Sequence, residues 1–507
     1  MKIILGLLVL FLFQSDILNA QEKSFIKEYT YKAGELDSKL SCRAVVIDQL
    51  RTILLQEIGV YVESEQFLKT SDVGGQFSQD FVENIAIISA GITKLEVVEE
   101  KWTGETYWMK AAITVDPRSL QESLNRLIND KNRVKELESL KEELDKTKEQ
   151  LSELRKQSLE SRPNSDNTII KNQYNNKIIA LNSTEFIISG LSKYDVNDFK
   201  GAIEDFSVAI AIDPRNARAY LSRANAELSL VDTIAARYGL GKQYDETIKA
   251  AISDYTRGID LSSGRTREEI SFHYTSRGIA KSKSTIPIKD DEGRDRWTFN
   301  HEEAIVDFTR AINSSLSPIA YYYRGISRMS IGNTLDAITD FTISIKLDPQ
   351  NPDCYSNRGD ARYQNDDYKS AVEDYTRAIE IDPSNYKYYV KRFLVMYEFR
   401  DGDYSILTED ANKLVELLPN EHVSYAGRGL IRAELKDQTG AIKDFNKAIA
   451  LDTKNKNSGL YYYRRGLSKM ALNQKENACK DLKIAVKTGY KTWRGEVDQK
   501  EIIKTCK

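Results

Sequence analysis

An aspartate returns along this chain as Asp205, Asp254, Asp307, Asp340, Asp374, Asp410, Asp444 and Asp481. An arginine accompanies seven of them: Arg223, Arg277, Arg324, Arg358, Arg392, Arg428 and Arg465. Guanidinium and carboxylate groups at a fixed offset can do two kinds of chemistry. They can line a stripe that holds a charged ligand, or they can pair with one another, the planar fork of arginine matching a carboxylate through two parallel bonds. Because the two recur together, an internal ladder between helices is the expected use, with Arg324–Asp340, Arg358–Asp374 and Arg428–Asp444 among its rungs. One helical turn after the arginine position a second cation recurs, as Lys193, Lys281, Arg328, Arg362, Arg432 and Lys469.

Other chemistry is sparse. His301, Glu302 and Glu303 stand together, but the second histidine that a zinc-binding helix needs does not follow. Neither a nucleophile turn of the G-x-S-x-G type nor a glycine-rich phosphate loop occurs. No catalytic residue, metal ligand or cofactor is therefore assigned, and an enzyme is not expected. With 73 basic against 76 acidic residues, the chain lacks the basic excess of a nucleic-acid binder. Cys42 and Cys354 stand alone, whereas Cys479 and Cys506 lie 27 positions apart near the end of the chain. A disulfide between these two is expected, the alternative being two unpaired thiols.

The elements that must position these charges show in residues 352–385, PDCYSNRGDARYQNDDYKSAVEDYTRAIEIDPSN. Tyr355, Arg358 and Gly359 lead one apolar-periodic stretch, Asp366-Asp367-Tyr368 breaks it, and Ala371, Tyr375 and Ala378 mark a second, closed by Pro383. Small residues let paired helices approach, an aromatic fills the gap between units, and proline ends the second helix. This helix–turn–helix of 34 residues resembles a tetratricopeptide repeat. About eight such units are read over residues 183–492, with insertions at 230–246 and 284–300 and a degenerate sixth unit in which Phe393 takes the glycine position. Residues 493–507 are expected to add a capping helix.

Before the repeats, four segments are distinguished. Residues 1–20 read as a signal peptide: Lys2, then the apolar run from Ile3 to Phe13, shorter than the roughly 20 residues that span a bilayer. Residues 21–118 read as a small α+β domain of order β-α-α-β-β, with a helix from Leu36 to Tyr61, a second through Phe77 and Ile88, and a closing hairpin. Its helix and its EEKWTGETYWMKA hairpin resemble the small N-terminal α/β domains of some bacterial outer-membrane and flagellar assembly factors. Trp102 and Trp108 in that hairpin either pack it onto its helix or form a stacking surface. Residues 119–160 carry leucines at threes and fours among lysines and glutamates, either as a coiled coil forming a homodimer or as a single spacer helix. Residues 161–182 read as a polar linker.

The fold class expected is thus mainly α: a repeat solenoid preceded by a small α+β domain and a long charged helix. The tetratricopeptide resemblance implies a concave groove lined by the second, fifth, ninth and twelfth positions of each first helix. Those positions give Tyr322, Ile326 and Met329 in the fourth unit, Val390, Leu394 and Tyr397 in the sixth, and Tyr463, Leu467 and Met470 in the eighth. The carboxylate-clamp pattern of the family, lysine at the fifth position with asparagine at the ninth, is matched only by Asn225. The resemblance therefore implies a protein or peptide partner with large apolar side chains rather than an acidic tail. The expected function is an exported scaffold, periplasmic, envelope-associated or secreted. The alternative is a ligand-binding protein in which residues 21–118 recognise the ligand and the solenoid presents it.

Overall fold

The computed structural model describes residues 23–64, 95–115, 131–160, 166–262, 264, 266–289, 295–399, 404–453, 458–488, 491–492, 495–496 and 506. The expected signal peptide, the second helix through Phe77 and Ile88, and residues 119–130 of the long helix lie outside them. The chain divides into two compact units, residues 1–300 and 301–507. Eighteen helices and seven strands are found among the described residues.

The first unit opens with β1 (Lys23–Lys32), α1 (Lys39–Ser64), β2 (Leu95–Trp102) and β3 (Thr106–Val115). The strands form an antiparallel sheet of order β1-β3-β2. Alternation puts Phe25, Tyr29 and Tyr31 of β1 on the face shared with Ile113, Met109 and Tyr107 of β3. Helix α1 covers that face with Cys42, Val46, Leu50, Leu54 and Ile58, all fully buried. Trp102 packs on this side against Tyr107, ring centroids 5.9 Å apart. Trp108 is one residue out of phase and so belongs to the opposite face. The two tryptophans do not form one stacking surface.

Helix α2 (Lys131–Glu160) and α3 (Asp166–Asp195) follow. Residues 166–182 of the segment read as a polar linker are thus the first half of α3, and 161–165 lie outside the described residues. Its buried stripe of Tyr174, Ile178 and Leu181 is thin among asparagines and lysines, so composition concealed a helical period. Four leucines of α2 are covered within the chain. Leu140 packs with Leu54, Ile58 and Ile187, and Leu144, Leu151 and Leu154 pack with Leu36, Tyr174 and Ile178. Among the residues expected to form a homodimer seam, Leu140, Leu144, Leu151 and Leu154 thus pack α2 against its own α+β domain and α3. A polar cluster fixes the join. Arg155 donates from Nη2 to Asp37 at 3.0 Å, and the hydroxyls of Tyr174 and Tyr31 reach the same carboxylate at 2.7 and 2.9 Å.

Helix α4 (Phe199–Ile212) completes the first repeat with the end of α3, and α5 (Ala217–Tyr238) with α6 (Lys242–Asp260) forms the second. The insertion at 230–246 is not a loop: it lengthens both helices, which bury Val231, Ile234, Tyr244 and Ile248 against each other. Helix α7 (Arg267–Lys283) leads into the second insertion, an antiparallel hairpin of β4 (Thr285–Lys289) and β5 (Asp295–Phe299). The two insertions meet. Tyr244 donates to the carbonyl of Lys283 at 2.8 Å, and Lys283 pairs with Asp232.

The second unit starts at α8 (His301–Ser314) and continues as five helix pairs: α9 (Pro318–Ser330) with α10 (Thr334–Leu347), α11 (Pro352–Gln364) with α12 (Tyr368–Ile381), α13 (Tyr386–Phe399) with α14 (Tyr404–Leu417), α15 (His422–Glu434) with α16 (Gln438–Leu451), and α17 (Ser458–Ala471) with α18 (Lys475–Lys487). Local chemistry sets their ends. Pro318 and Pro352 occupy first turns, where a missing N–H costs nothing, and Asp367 accepts the N–H of Ser370 at 3.2 Å. Between paired helices one turn position is left-handed, with φ of 83° at Gly332, 60° at Asp366 and 69° at Lys436. Close approach explains the recurrent glycine: a Cβ at Gly359 would meet the ring of Tyr375 at 2.7 Å.

The sixth unit keeps this packing with the partners exchanged. Phe393 fills from α13 the space that an aromatic fills elsewhere from the second helix, and Ala411 opposite it is small. Beyond α18, β6 (Lys491–Thr492) pairs with β7 (Gly495–Glu496). A two-residue strand thus stands at the start of the expected capping helix, the rest of which lies outside the described residues except for Cys506.

Candidate interaction surface

The recurrent charges lie between helices. In α11 and α12, Arg358 donates to Asp374 from Nε and Nη2 at 3.0 and 2.7 Å, and Arg362 adds a third bond to Asp374 at 2.9 Å. The same triad is built by Arg324 and Arg328 on Asp340, by Arg428 and Arg432 on Asp444, and by Arg465 and Lys469 on Asp481. Arg223–Asp254 and Arg392–Asp410 repeat the fork. In the first unit's opening repeat, Ser189 and Lys193 hold Asp205. The helices of the third repeat fall in different units.

Four of the forks have a second use that residue spacing did not reveal. The remaining Nη1 reaches back to a hydroxyl on the preceding repeat: Arg223 to Ser207 at 3.0 Å, Arg324 to Thr309 at 3.1 Å, Arg358 to Thr342 at 3.2 Å and Arg392 to Thr376 at 2.9 Å. The arginine therefore staples its own helix pair and the pair before it. The signal in the sequence is a Ser or Thr directly after the aromatic position, present in Phe206-Ser207, Phe308-Thr309, Phe341-Thr342 and Tyr375-Thr376. Burial and hydrogen bonding oppose each other at these carboxylates. At Asp481 burial raises the proton affinity, but the bonds from Arg465 and Lys469 prevail and hold it below the usual carboxylate range. At Asp410, served by a single arginine, burial prevails and the carboxyl is pushed up.

With these cations engaged internally, the first helices still offer several apolar and aromatic side chains outward. The nine side chains expected to line a groove separate into two sets. Tyr322, Ile326 and Met329 are half-buried against Ala337, Phe341 and Ala361, and the hydroxyl of Tyr322 accepts from Asn357 at 3.1 Å. Val390 packs with Tyr388 and Leu414, Tyr397 stacks on Phe393, and Tyr463 lies against Leu482. Met470 is half-buried. Leu394 and Leu467, by contrast, are 56% and 41% exposed. Ile319 and Val423, at second positions of their helices, are 55% and 53% exposed. Asn225, the single match to a carboxylate clamp, already accepts from the hydroxyl of Tyr255 at 2.6 Å.

Successive first helices are also cross-tied by polar groups. Between α11 and α13, Tyr388 donates to Asp353 at 2.6 Å, Lys391 pairs with Asp360 at 2.6 Å, and Tyr363 donates to Glu398 at 3.0 Å. At the turn end of these two helices three rings gather. Tyr368 and Phe399 stack with centroids 3.4 Å apart, and Tyr363 meets them edge-on at 5.7 and 6.2 Å. No helix among the described residues is long and apolar enough to cross a membrane.

Residues 352–385 and 423–455 match family models described as tetratricopeptide repeat. A curated human relative, tetratricopeptide repeat protein 6, is 24% identical over 177 residues, which is 32% of this chain and 32% of that protein. The chain thus spans about a third of the length of the curated relative it matches. Among solved structures, the C-terminal part of a repeat-containing protein from Cytophaga hutchinsonii is similar at 18% identity, covering 54% of this chain and 97% of that one with a TM-score of 0.41. A tetratricopeptide repeat protein from Parabacteroides merdae is similar at 17% identity, covering 64% and 97% with a TM-score of 0.29.

Proposed function

We propose that this chain, a tetratricopeptide repeat protein, is an exported protein-interaction scaffold that holds a peptide of a partner protein along its first-helix face. The observation that carries the reading is the contrast between engaged charges and free apolar side chains. The arginines that could have formed a cationic stripe are spent on Asp340, Asp374, Asp410 and Asp444, while Leu394 and Leu467 protrude from equivalent positions of α13 and α17. An apolar side chain exposed at a repeated position suits a partner that carries apolar anchors at matching intervals. Export is supported by the Cys479–Cys506 bond, since such bonds persist outside reducing compartments.

A photo-crosslinking residue placed at Leu394 in native cells tests the surface. An equally exposed control is Leu335 on the second helix α10, 65% exposed. A discrete protein adduct from position 394 and none from 335 is the expected result. Equal labelling at both, or none at 394, overturns the reading. Fractionating the same cells tests export, and recovery from the cytoplasm removes that part of the proposal alone.

A further inference from the structure

The ring cluster at the turn end of α11 and α13 has an unbalanced charge. Tyr363 donates its hydroxyl to Glu398 at 3.0 Å and Tyr368 donates to Asp366 at 2.5 Å. Among the described residues neither carboxylate has a cationic partner within salt-bridge distance. Their surroundings are otherwise matched: Asp360 has Lys391, and Asp374 has Arg358 and Arg362. Phe399 remains 37% exposed, and Glu398 and Asp366 are exposed.

Aromatic faces carry negative potential, and a hydroxyl bonded to a carboxylate pushes more electron density into its ring. Both phenols are accordingly harder to ionise than usual, Tyr363 through its bond to Glu398 and Tyr368, raised to about 12, through its bond to Asp366. Two stacked rings, a third edge-on and two uncompensated carboxylates make a surface that attracts a planar cation. Packing alone accounts for the rings, but it does not call for a carboxylate beside each hydroxyl. Tyr363 is also the twelfth-position residue of its helix, so the cluster is continuous with the first-helix face.

We propose that Tyr363, Tyr368 and Phe399, with the carboxylates of Glu398 and Asp366, form a receptor for an arginine side chain of a bound peptide. The guanidinium would stack on the exposed part of Phe399 and take up the unpaired carboxylate oxygens, which suits its planar fork better than a lysine ammonium. The proposal rests on the peptide-binding reading only for where the rest of the peptide runs.

The test uses the full chain and two short probes, acetyl-Gly-Arg-Gly-amide and the same peptide with citrulline, which keeps the shape and removes the charge. Binding is read by saturation-transfer NMR titration. The arginine probe should bind roughly three- to tenfold more tightly, and the preference should weaken with added salt. Phe399→Leu, which keeps an apolar side chain without a ring face, and Glu398→Gln, an exposed and isosteric change, should each abolish most of it. Glu398→Gln keeps the test valid should Phe399→Leu disturb folding. Equal binding of the two probes, or a preference untouched by Glu398→Gln, overturns the proposal. Arginine preference together with no crosslink from Leu394 would keep this site and remove the groove. A Leu394 crosslink with equal probe binding would do the reverse.

Discussion

Arg392 and Asp410 form the most deeply buried rung of the ladder, with side chains 8% and 0% exposed. Asp374 keeps Arg362 if Arg358 is lost, but Asp410 has Met396 at the corresponding position of α13 and so no second cation. Breaking a buried pair leaves an uncompensated charge, and that cost exceeds what the intact pair contributes. Arg392→Ala should therefore destabilise the second unit by about 3–5 kcal/mol, and Arg358→Ala by only about 1–3 kcal/mol. Urea unfolding of the two variants side by side measures the difference. Equal losses would mean that the second cation is not sharing the load.

Phe393 and Ala411 offer a cleaner check of how the repeats pack. Elsewhere the small residue sits on the first helix and the aromatic on the second, as Gly359 and Tyr375 do. Phe393→Gly alone should cost about 3–5 kcal/mol, as a large buried side chain leaves a cavity. The double change Phe393→Gly with Ala411→Phe restores the common arrangement and should recover most of that loss. A double variant no more stable than Phe393→Gly would show that the backbone of α13 and α14 has adapted to the exchange.

That the ladder was legible, and the burial of the side chains expected to line a groove was not, has a physical reason. Arg358 and Asp374 keep a separation of 16 in four of the rungs, so the pairing repeats in the sequence as it does in space. Which of those side chains are covered depends instead on how successive first helices overlap, which no single unit encodes. Tyr388 reaching Asp353 and Asn357 reaching Tyr322 join residues 35 apart whose types do not recur. The same limit applies to α2. Its leucine period says that one face is covered, not that Tyr174 and Leu54 cover it. In α3 the stripe of three buried residues was outweighed by polar neighbours, and a helix read as a linker.

Glu227 replaces the second cation of the ladder in the second repeat and lies next to Asp254 and Arg223. It is 7% exposed, and its Oε2 has no hydrogen-bond partner. Burial first, and the Asp254 charge second, push its carboxyl up to about 8. The folded chain thus holds a proton that the unfolded chain releases near the ordinary carboxylate value of 4.5. Stability contributed by the neutral form is complete below that value and is lost as pH rises toward about 8. Glu227→Gln should leave stability unchanged near pH 4 and raise it above pH 8, by roughly 1–3 kcal/mol. Thermal unfolding of both proteins across that range reads the crossover. Parallel curves would mean that Glu227 is charged in the fold.

Cys479 on α18 and Cys506 are joined with Cα atoms 5.6 Å apart, closing 27 positions of chain onto the last repeat. Cys42 and Cys354 are buried and unpaired, and burial pushes both thiols up to about 11. Denatured without reductant, the protein should therefore yield two reactive thiols per chain. Native protein should yield almost none, because inaccessible groups held far above neutral pH present little thiolate. Closing a loop of this length restricts the unfolded chain by about 3 kcal/mol in the loop-entropy picture. Reduction should accordingly speed hydrogen exchange in α17 and α18 while leaving α11 and α12 protected. Four thiols in the unreduced denatured chain would remove the bond. Uniformly faster exchange across all the pairs would show that the second unit unfolds as one block, with no separately stabilised end.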